Sequence, residues 1–363
     1  MQVNFKNLVR NIFIAAAMLA GMVSCGWINE DLPECPPTEL RLRFVYDYNM
    51  LNADAFSSQV GAVTVYVFDE SNKLVTTKTE EDRSLLSQMG YEMVFDDSEL
   101  VVGKKYRFVT VAFQKSSREI ESTDGAKFRV ADIKQGDPIE KLDVTLDREK
   151  GSDGRSYVVN KNHPLDTLWM SRTDNYAELN TQVTTRETVN LMRDTKNITL
   201  TLRQLNHADE QNIDIADYDI SITDSNGWLN YDNSLKADEQ LVYTPYALWN
   251  TSYDDEETRS AVIRYAAHAD LSVSRLIYHD DSSKNARLSI RNTKTGANVA
   301  QINLPKFLSD GRSSIEQIYS PQEFLDREYA YRLDFFLRGD TWVYVDIWIS
   351  ISPYAVRIQN IGL

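Results

Sequence analysis

The feature that most constrains this chain is a period-two alternation of apolar and polar residues. In "LRLRFVYDY" the residues Leu40, Leu42, Phe44, Tyr46 and Tyr48 share one face, and charged residues take most of the other. Such alternation predicts a half-buried strand. It returns in "AVTVYVFDESNKLVTT", "GKKYRFVTVAF", "YDISITDSNGWLNYD", "ARLSIRNTKTGANVAQINL", "TWVYVDIWISI" and "YAVRIQNIGL". Many short strands with few helical patterns predict an all-β chain made of sandwiches.

Turn residues divide these segments. We predict hairpin turns at 70–72, at Ser225–Gly227 and around Gly296, because each lies between two alternating segments. The decapeptide "DSNGWLNYDN" has a superficial likeness to a calcium loop, but its glycine is at the fourth position rather than the sixth. We therefore predict a hairpin turn there.

Helical patterns are short and few. Residues 80–90 predict a helix that ends at Gly90. A second helix is predicted at 320–330, where Ser320, Pro321 and Glu323 fit an N-cap, a first helical position and a capping box.

The N-terminus has the layout of a secretory signal. Basic residues at 6 and 10 precede an apolar run at 12–23, which is shorter than the roughly 20 residues that span a membrane. We predict that residues 1–24 are a signal peptide, cleaved between Ser24 and Cys25, and that Cys25 is lipidated. The alternative is an ordinary cleaved signal followed by a chance cysteine.

Residues 25–37, "CGWINEDLPECPP", predict an extended tether because of their prolines. If Cys25 is acylated, Cys35 has no partner within the chain, so no disulfide framework is expected. Two states remain open for Cys35, a bridge to another chain and a free thiol.

Charge narrows the range of partners. Without residues 1–24 the chain has 37 basic and 54 acidic residues, a net charge of −17. This balance excludes the basic footprint of a nucleic-acid-binding protein. The remaining length suggests two domains, and a fresh alternating strand at 198–202 favours one sandwich at 38–188 and another at 189–363.

No enzyme, metal site or cofactor is predicted. The chain contains no nucleophile elbow, Walker loop or dinucleotide fingerprint, although paired carboxylates of a glycosidase would leave no local signature. The histidines lack zinc-site spacing, and "YHDD" at 278–281 predicts a solvated loop. The histidines are His163, His207, His268 and His279.

Two weaker patterns concern glycans. Asp166-Thr167-Leu168 matches a three-residue O-glycosylation pattern, which chance produces easily. Five aromatic residues in the second half suit either a glycan-stacking platform or packing between loops and sandwich, and packing is favoured. They are Trp228, Tyr231, Tyr243, Tyr246 and Trp249.

The mature start resembles the FimB/Mfa2 family of Bacteroidetes fimbrial anchor lipoproteins. The likeness rests on a cysteine, an acidic "EDLPEC" turn, the "RLRFVYDYNM" strand and the "VYVFDESNKLV" hairpin, in that order. "NLMRDTKNITLTL" and the closing "AVRIQNIGL" extend it over the mature chain. Glu30 and Asp31 also resemble the acidic export signals of surface lipoproteins in these bacteria.

This resemblance implies two tandem transthyretin-like β-sandwiches at the base of a pilus, on the outer-membrane surface. It implies a fimbrial stalk subunit and outer-membrane lipid as partners, joined by strand complementation. The first strand, Leu40–Tyr48, would be retained, whereas stalk subunits lose theirs to an arginine-specific protease. Arg41 and Arg43 are conceivable cleavage points that a sheet would protect.

The C-terminal strand, Ala355–Leu363, has two interpretations. It either inserts into the last stalk subunit, offering Val356, Ile358 and Ile361, or closes the second sandwich. The alternative to an anchor is a surface adhesin or glycan-binding lipoprotein, such as a pilus tip, with a host or bacterial receptor.

Overall fold

The structure, a computed structural model, describes residues 36–205, 213–254, 263–350 and 354–360. The predicted signal peptide and nearly all of the tether lie outside these ranges. So do several residues named above: Ser24, Cys25, Cys35, His207 and Ile361.

The first half is built mainly of strands. They are β1 (Glu39–Val45), β2 (Ala62–Phe68), β3 (Leu74–Glu80), β4 (Glu92–Asp96), β5 (Lys105–Phe113), β6 (Phe128–Val130), β7 (Asp143–Leu146), β8 (Glu149–Lys150), β9 (Ser156–Val158), β10 (Leu168–Ser171), β11 (Asn175–Glu178) and β12 (Thr184–Arg193). Its short helices are α1 (Phe56–Gln59), α2 (Arg83–Leu86) and α3 (Ser117–Ser122).

The second half continues the pattern. Its strands are β13 (Lys196–Gln204), β14 (Tyr218–Asp224), β15 (Trp228–Asn230), β16 (Leu241–Tyr243), β17 (Ala247–Asp254), β18 (Ile263–Val273), β19 (Arg287–Asn292), β20 (Asn298–Asn303), β21 (Ala330–Arg338), β22 (Thr341–Ile349) and β23 (Val356–Gln359). Its helices are α4 (Leu304–Asp310) and α5 (Pro321–Arg327). The all-β fold class is confirmed.

The first sheet has the order β3-β2-β5-β10-β12-β1-β4, and β11 also pairs with β5. Side chains from both of its ends meet in one buried cluster, in which Leu42 and Phe95 pack with Val65 and Phe108. The sheet therefore curls over a single core, as a sandwich does.

The second sandwich stacks two six-stranded sheets, with the orders β17-β18-β13-β21-β22-β23 and β20-β19-β14-β16-β9-β8. Leu200 and Phe335 of one sheet share a core with Ile222 and Leu288 of the other. A small sheet, β15-β7-β6, links the two halves of the chain. Next to it, Phe68 and Val109 on the outer side of the first sheet pack with Ile139 and Leu142.

Strand pairing crosses the predicted domain join at residue 188. β12 runs from Thr184 to Arg193 through that position, and the chain changes sheet before Lys196. β8 and β9, which precede the join, share a sheet with β16, which follows it. The domain limits 38–188 and 189–363 stay a prediction. Strands from both sides of residue 188 share a sheet, so the two parts of the chain are joined by strand pairing.

Two of the predicted hairpins are confirmed. β2 and β3 pair antiparallel around a turn in which Asn72 adopts a φ of 55°. β19 and β20 pair in the same way around Gly296, with a φ of 79°. These left-handed conformations suit asparagine and glycine.

The hairpin predicted at Ser225–Gly227 is wrong. β14 pairs with β16 and β19, whereas β15 pairs with β7 in another sheet. The buried Asn226 side chain donates to the carbonyls of Ser274 and Arg275 and accepts from the Tyr243 hydroxyl. These tertiary bonds hold a corner between sheets, which local turn chemistry does not reveal.

The two predicted helices form, with different extents. The helix predicted at 80–90 is limited to Arg83–Leu86, because Glu80 still belongs to β3 and Asp82 is the N-cap. The helix at 320–330 is α5, and the Ser320 hydroxyl accepts from the Glu323 amide at 3.1 Å as predicted.

Candidate functional site

The most distinctive site surrounds the first strand. β1 lies second from the edge of its sheet, between β12 and β4. It pairs parallel with β12 over its whole length, from Glu39 opposite Thr184 to Val45 opposite Asn190. It pairs antiparallel with β4 from residue 39 to residue 43. Two hydrogen-bonded ladders therefore hold β1.

The apolar face of this segment is completely enclosed, as its alternation predicts. Leu40, Leu42 and Tyr46 are 0% exposed, and Phe44 is 2% exposed. The Phe44 ring stacks on Phe56 with 5.5 Å between ring centres. The first strand of the chain is therefore an integral, buried part of the first sheet.

The two arginines of β1 differ in their surroundings. Arg41 is half-buried, donating to Glu39 at 2.8 Å and to Glu92 at 3.4 Å, whereas Arg43 is exposed. Their peptide bonds belong to a strand that is paired on both sides. Because cleavage of a folded chain needs accessible backbone, this pairing protects both positions.

The segment that follows β1 is clamped between the two halves. The Tyr48 ring lies between two guanidinium groups, with the carbon of Arg172 at 4.3 Å and that of Arg327 at 4.2 Å from its centre. Arg327 also donates to the Asn52 side-chain oxygen at 2.9 Å, and Glu323 pairs with Arg327 at 2.9 Å. Helix α5 thus holds the exit of β1 through cation–π contacts.

Beneath α5 lies a buried polar junction. The ammonium group of Lys196 donates to the carbonyls of Arg193, Asp326 and Glu328 at 3.0–3.2 Å. Arg275 forms a bidentate pair with the Asp326 carboxylate, both contacts at 2.9 Å. Burial lowers the pKa of Lys196, as expected for a charge removed from water. This junction fixes α5 to the point where β12 passes into β13.

A second buried carboxyl belongs to the same junction. Asp194 is 0% exposed and accepts from the Asn233 amide at 2.9 Å. Burial raises its pKa, and the opposing influence of Arg275 lowers it. The junction thus contains charged groups of both signs with directed hydrogen bonds, the arrangement that makes buried charges tolerable.

The C-terminal strand lies at a sheet edge. β23 pairs antiparallel with β22, with Ile358 opposite Val345 and Arg357 opposite Asp346. Val356 and Ile358 are half-buried, and Arg357 pairs with Asp346 at 2.6 Å. This arrangement agrees with a closing strand of the second sandwich, and among the described strands β23 pairs with β22 alone.

The aromatic residues proposed as a platform do not come together. Trp228 and Trp249 belong to different sheets, and Tyr243 is completely buried. The guanidinium carbon of Arg107 lies over the Tyr231 ring, 5.0 Å from its centre. Trp249 stacks on His268 with 5.0 Å between ring centres. The glycan platform around Trp228 and Trp249 is therefore absent from the described structure.

The remaining motifs form no chemical site. Within the described ranges, no group of three His, Cys, Asp or Glu residues is placed to hold a metal ion. Asp281, in the "YHDD" segment, caps a short turn through the Ser283 amide. Thr167 is buried and donates to Gln114 at 3.0 Å, so the folded chain does not present this hydroxyl for glycosylation.

Helices in the described part of the chain fall short of what a membrane crossing needs in length and apolar character. The clamp at Tyr48 and the junction at Lys196 were not predicted from sequence. Arg172 and Arg327 lie more than 100 residues from Tyr48 along the chain, and Asp326 and Glu328 lie more than 100 residues from Lys196. Each residue alone is an ordinary polar or aromatic residue.

Comparison with known proteins gives a consistent result. The family model for fimbrillin-A associated anchor proteins Mfa1 and Mfa2 matches residues 32–360. A search of curated proteins found no match.

Several solved structures are similar over nearly the whole chain. A protein from Bacteroides thetaiotaomicron proposed to bind polysaccharide (DUF1812) is 30% identical, with a TM-score of 0.64, and the match covers 89% of this chain and 98% of that one. A proposed adhesin from the same organism is 28% identical, with a TM-score of 0.71 and coverages of 91% and 100%. The fimbrial anchor protein Mfa2 from Porphyromonas gingivalis shares the fold, with 16% identity, a TM-score of 0.57 and coverages of 88% and 99%.

Proposed function

Because this chain belongs to the family of fimbrillin-A associated anchor proteins Mfa1 and Mfa2, we propose that it is the lipid-anchored base subunit of a fimbrium. It has a structural role at the cell surface, tethered to the outer membrane through acylated Cys25. One observation carries the proposal. β1 occupies the groove between β12 and β4 in its own sandwich, which we call the first groove. It is paired on both sides, and its apolar face is enclosed.

A filled groove ends a fibre built by strand exchange. In such assembly, a strand from one subunit completes the sheet of its neighbour. A subunit that keeps its own first strand offers no free position there, so it can start or end a fibre but cannot lie within it. The retained strand with Leu40, Leu42, Phe44 and Tyr46 would therefore define an end subunit.

The tether is tested by the mass of the N-terminal peptide of protein purified from outer membranes. We expect a triacylated Cys25 still joined to residues 40–48. Replacement of Cys25 by alanine should release the chain from the membrane fraction, whereas Cys35→Ala should not. A native chain that begins after Arg41 or Arg43 would have lost both Cys25 and part of β1, and it would contradict the anchor proposal.

The filled groove is tested with a fluorescent peptide of residues 38–48. The intact chain should take up none, and a variant that lacks residues 25–48 should bind the peptide but not a scrambled one. Circular dichroism of the truncated variant checks that it stays folded. Uptake by the intact chain would show that β1 exchanges freely.

The part that β23 has in stalk attachment depends on whether it is a closing strand of the second sandwich or a donor strand that enters the stalk subunit. Deletion of residues 354–363 should abolish stalk capture by a folded protein if β23 is the donor. Ile358→Asp should act in the same way, and the exposed Gln359→Asp is its matched control. Unchanged capture after the deletion would remove the donor role.

A second candidate function is adhesion. Two similar structures are proposed to bind polysaccharide or to be adhesins. On the outer face of the six-stranded sheet that ends at β23, Trp249 is 37% exposed and Trp348 is half-buried. Glycan-array binding that is lost in Trp249→Ala or Trp348→Ala, but kept in Trp228→Ala, would favour an adhesin.

A further inference from the structure

Strand β6 lies at a sheet edge that no other described strand covers. β6 pairs with β7 on one side and ends its sheet on the other. The Ala131 amide donates to Asp143, and the Asp147 amide donates to Lys127, each between directly opposed residues. Since hydrogen-bonded pairs alternate in an antiparallel ladder, the odd-numbered residues face β7. The amides and carbonyls of Phe128 and Val130 therefore face away from it.

These outward groups have no hydrogen-bond partner within the described part of the chain. They are four main-chain groups on a strand edge, two donors and two acceptors. An unpaired strand edge is a template for pairing with another extended segment.

The space beside this edge is a cleft. A hollow of about 250 Å³ touches Phe128, Arg129 and Val130, and a neighbouring one of about 670 Å³ continues along residues 130–133. Both also touch Thr64, Glu81 and Ser117 on the opposite wall. We call this cleft, between residues 128–133 and the outer face of β2 and β3, the β6 slot.

The walls of the β6 slot differ along its length. One end is apolar, with Phe113, Ile120 and Phe128. The other end is lined by Tyr66 and the threonines at 77 and 79. An extended segment that lay against β6 would therefore contact apolar surface near one end of the slot and hydroxyl-bearing surface near the other.

Negative charge marks the middle of the slot. Glu81 touches both hollows, and its carboxylate accepts from the amide and the hydroxyl of Ser117, each at 3.1 Å. Of the ion pairs formed among described residues, none includes Glu81. At the rim, Glu121 already pairs with Arg129, and Asp132 with Lys134, so these two acids are compensated. A cationic side chain in the slot would find a complementary charge at Glu81.

We propose that the β6 slot binds an extended segment of a partner protein as an added strand, with a lysine or arginine of that segment paired to Glu81. The open main-chain edge favours a peptide over a sugar, because strand addition uses both donors and acceptors of a peptide backbone. This site is separate from β1 and β23, and it goes beyond the proposed anchoring function.

The probe is an acetylated and amidated seven-residue peptide that alternates valine and threonine around a central lysine. A twin with N-methyl groups on alternate residues cannot donate to β6 and is the matched control. We expect the peptide to shift the amide resonances of Phe128 and Val130 in the full chain, labelled with ¹⁵N-phenylalanine and ¹⁵N-valine. The methylated twin should leave them in place.

Two variants test the contacts. Val130→Pro removes an outward amide that the β6–β7 ladder does not use, a position where a strand tolerates proline, and it should abolish binding. Glu81→Lys should weaken binding about fivefold or more, and Asp97→Lys, at an exposed acid elsewhere, should leave it unchanged.

Three results would overturn the proposal: equal binding of the methylated twin, full binding by Val130→Pro, or no shift at Phe128 and Val130 at millimolar peptide. Self-association of the wild-type chain that Val130→Pro abolishes would instead assign the slot to a second copy. None of these results depends on Cys25 or β23. Failure of the slot proposal would therefore leave the anchor proposal unaffected, and the reverse also holds.

Discussion

The guanidinium carbon of Arg327 lies 4.2 Å from the centre of the Tyr48 ring, and this contact joins the first strand to the second sandwich. Tyr48 lies three positions beyond the end of β1, whereas Arg327 ends α5, 279 positions later. Because α5 is bonded to the junction at Lys196, movement of β1 out of its groove must disturb both halves of the chain.

A double-mutant cycle measures this contact. We expect Tyr48→Leu and Arg327→Met each to lower the free energy of unfolding. The double variant should lose less than the sum of the two, with a coupling of about 0.5–2 kcal/mol. Urea denaturation gives all four values. Strict additivity would mean that the ring and the guanidinium contribute independently.

Burial of β1 predicts a large asymmetry between neighbouring residues. Leu42→Ala should lower the free energy of unfolding by about 2–5 kcal/mol, because it leaves a cavity in the first core. The adjacent Arg43→Ala, on the exposed face, should change it by less than about 0.5 kcal/mol. Limited trypsin digestion should cut Leu42→Ala faster than wild type. Equal stability of the two variants would contradict an integrated β1.

The buried ammonium group of Lys196 predicts another large effect. Lys196→Met removes the donor of three carbonyl groups and leaves Asp194 without one of its neighbouring positive charges. We expect a loss of about 3 kcal/mol in the free energy of unfolding. The exposed Lys134→Met is the matched control and should be nearly neutral. A neutral result at both positions would mean that the junction repacks around methionine.

Asp224, at the end of β14, predicts a pH dependence. Burial raises the pKa of this carboxyl to about 7, and the Ser225 amide partly opposes the shift. Between about pH 4 and pH 7 the folded chain therefore binds a proton that the unfolded chain has released, so the contribution of Asp224 to stability falls as pH rises.

The variant Asp224→Asn removes this titration. Its stability relative to wild type should increase by about 1 kcal/mol per pH unit over that range. Urea midpoints of both chains at several pH values measure the difference. A difference that is independent of pH would mean that Asp224 ionises at its ordinary pKa in the folded chain.

Local signals in the sequence were sufficient for part of the fold. The alternation at 40–46, the turn at Asn72 and the cap at Ser320 each depend on residues close together in the chain, and each is confirmed. The family of anchor proteins was identified from the resemblance of whole motifs, and the family model confirms it. The lipidated cysteine and its cleavage site stay predictions, since both lie outside the described residues.

Long-range contacts explain what was missed. β1 and β12 pair in parallel across 145 positions, from Glu39 to Thr184, and no local pattern encodes such a partner. The failed hairpin at Ser225–Gly227 has the same cause. Its asparagine and glycine satisfied the turn rule, but the Asn226 side chain bonds to Ser274, 48 residues away. The open edge at Phe128 and Val130 likewise emerges only once β7 is known to bond on one side.

The ladders around β1 have a mechanical consequence. A pull applied before Glu39 along the axis of β1 loads the β12 ladder and the β4 ladder in shear. Every hydrogen bond along Glu39–Val45 then shares the load at once, and the strand cannot be unzipped bond by bond from one end. The Tyr48 clamp lies just beyond the far end of this strand, so load that passes β1 is transmitted to α5 and the second sandwich. The pairing of β1 is thus the arrangement that best resists tension along its own axis.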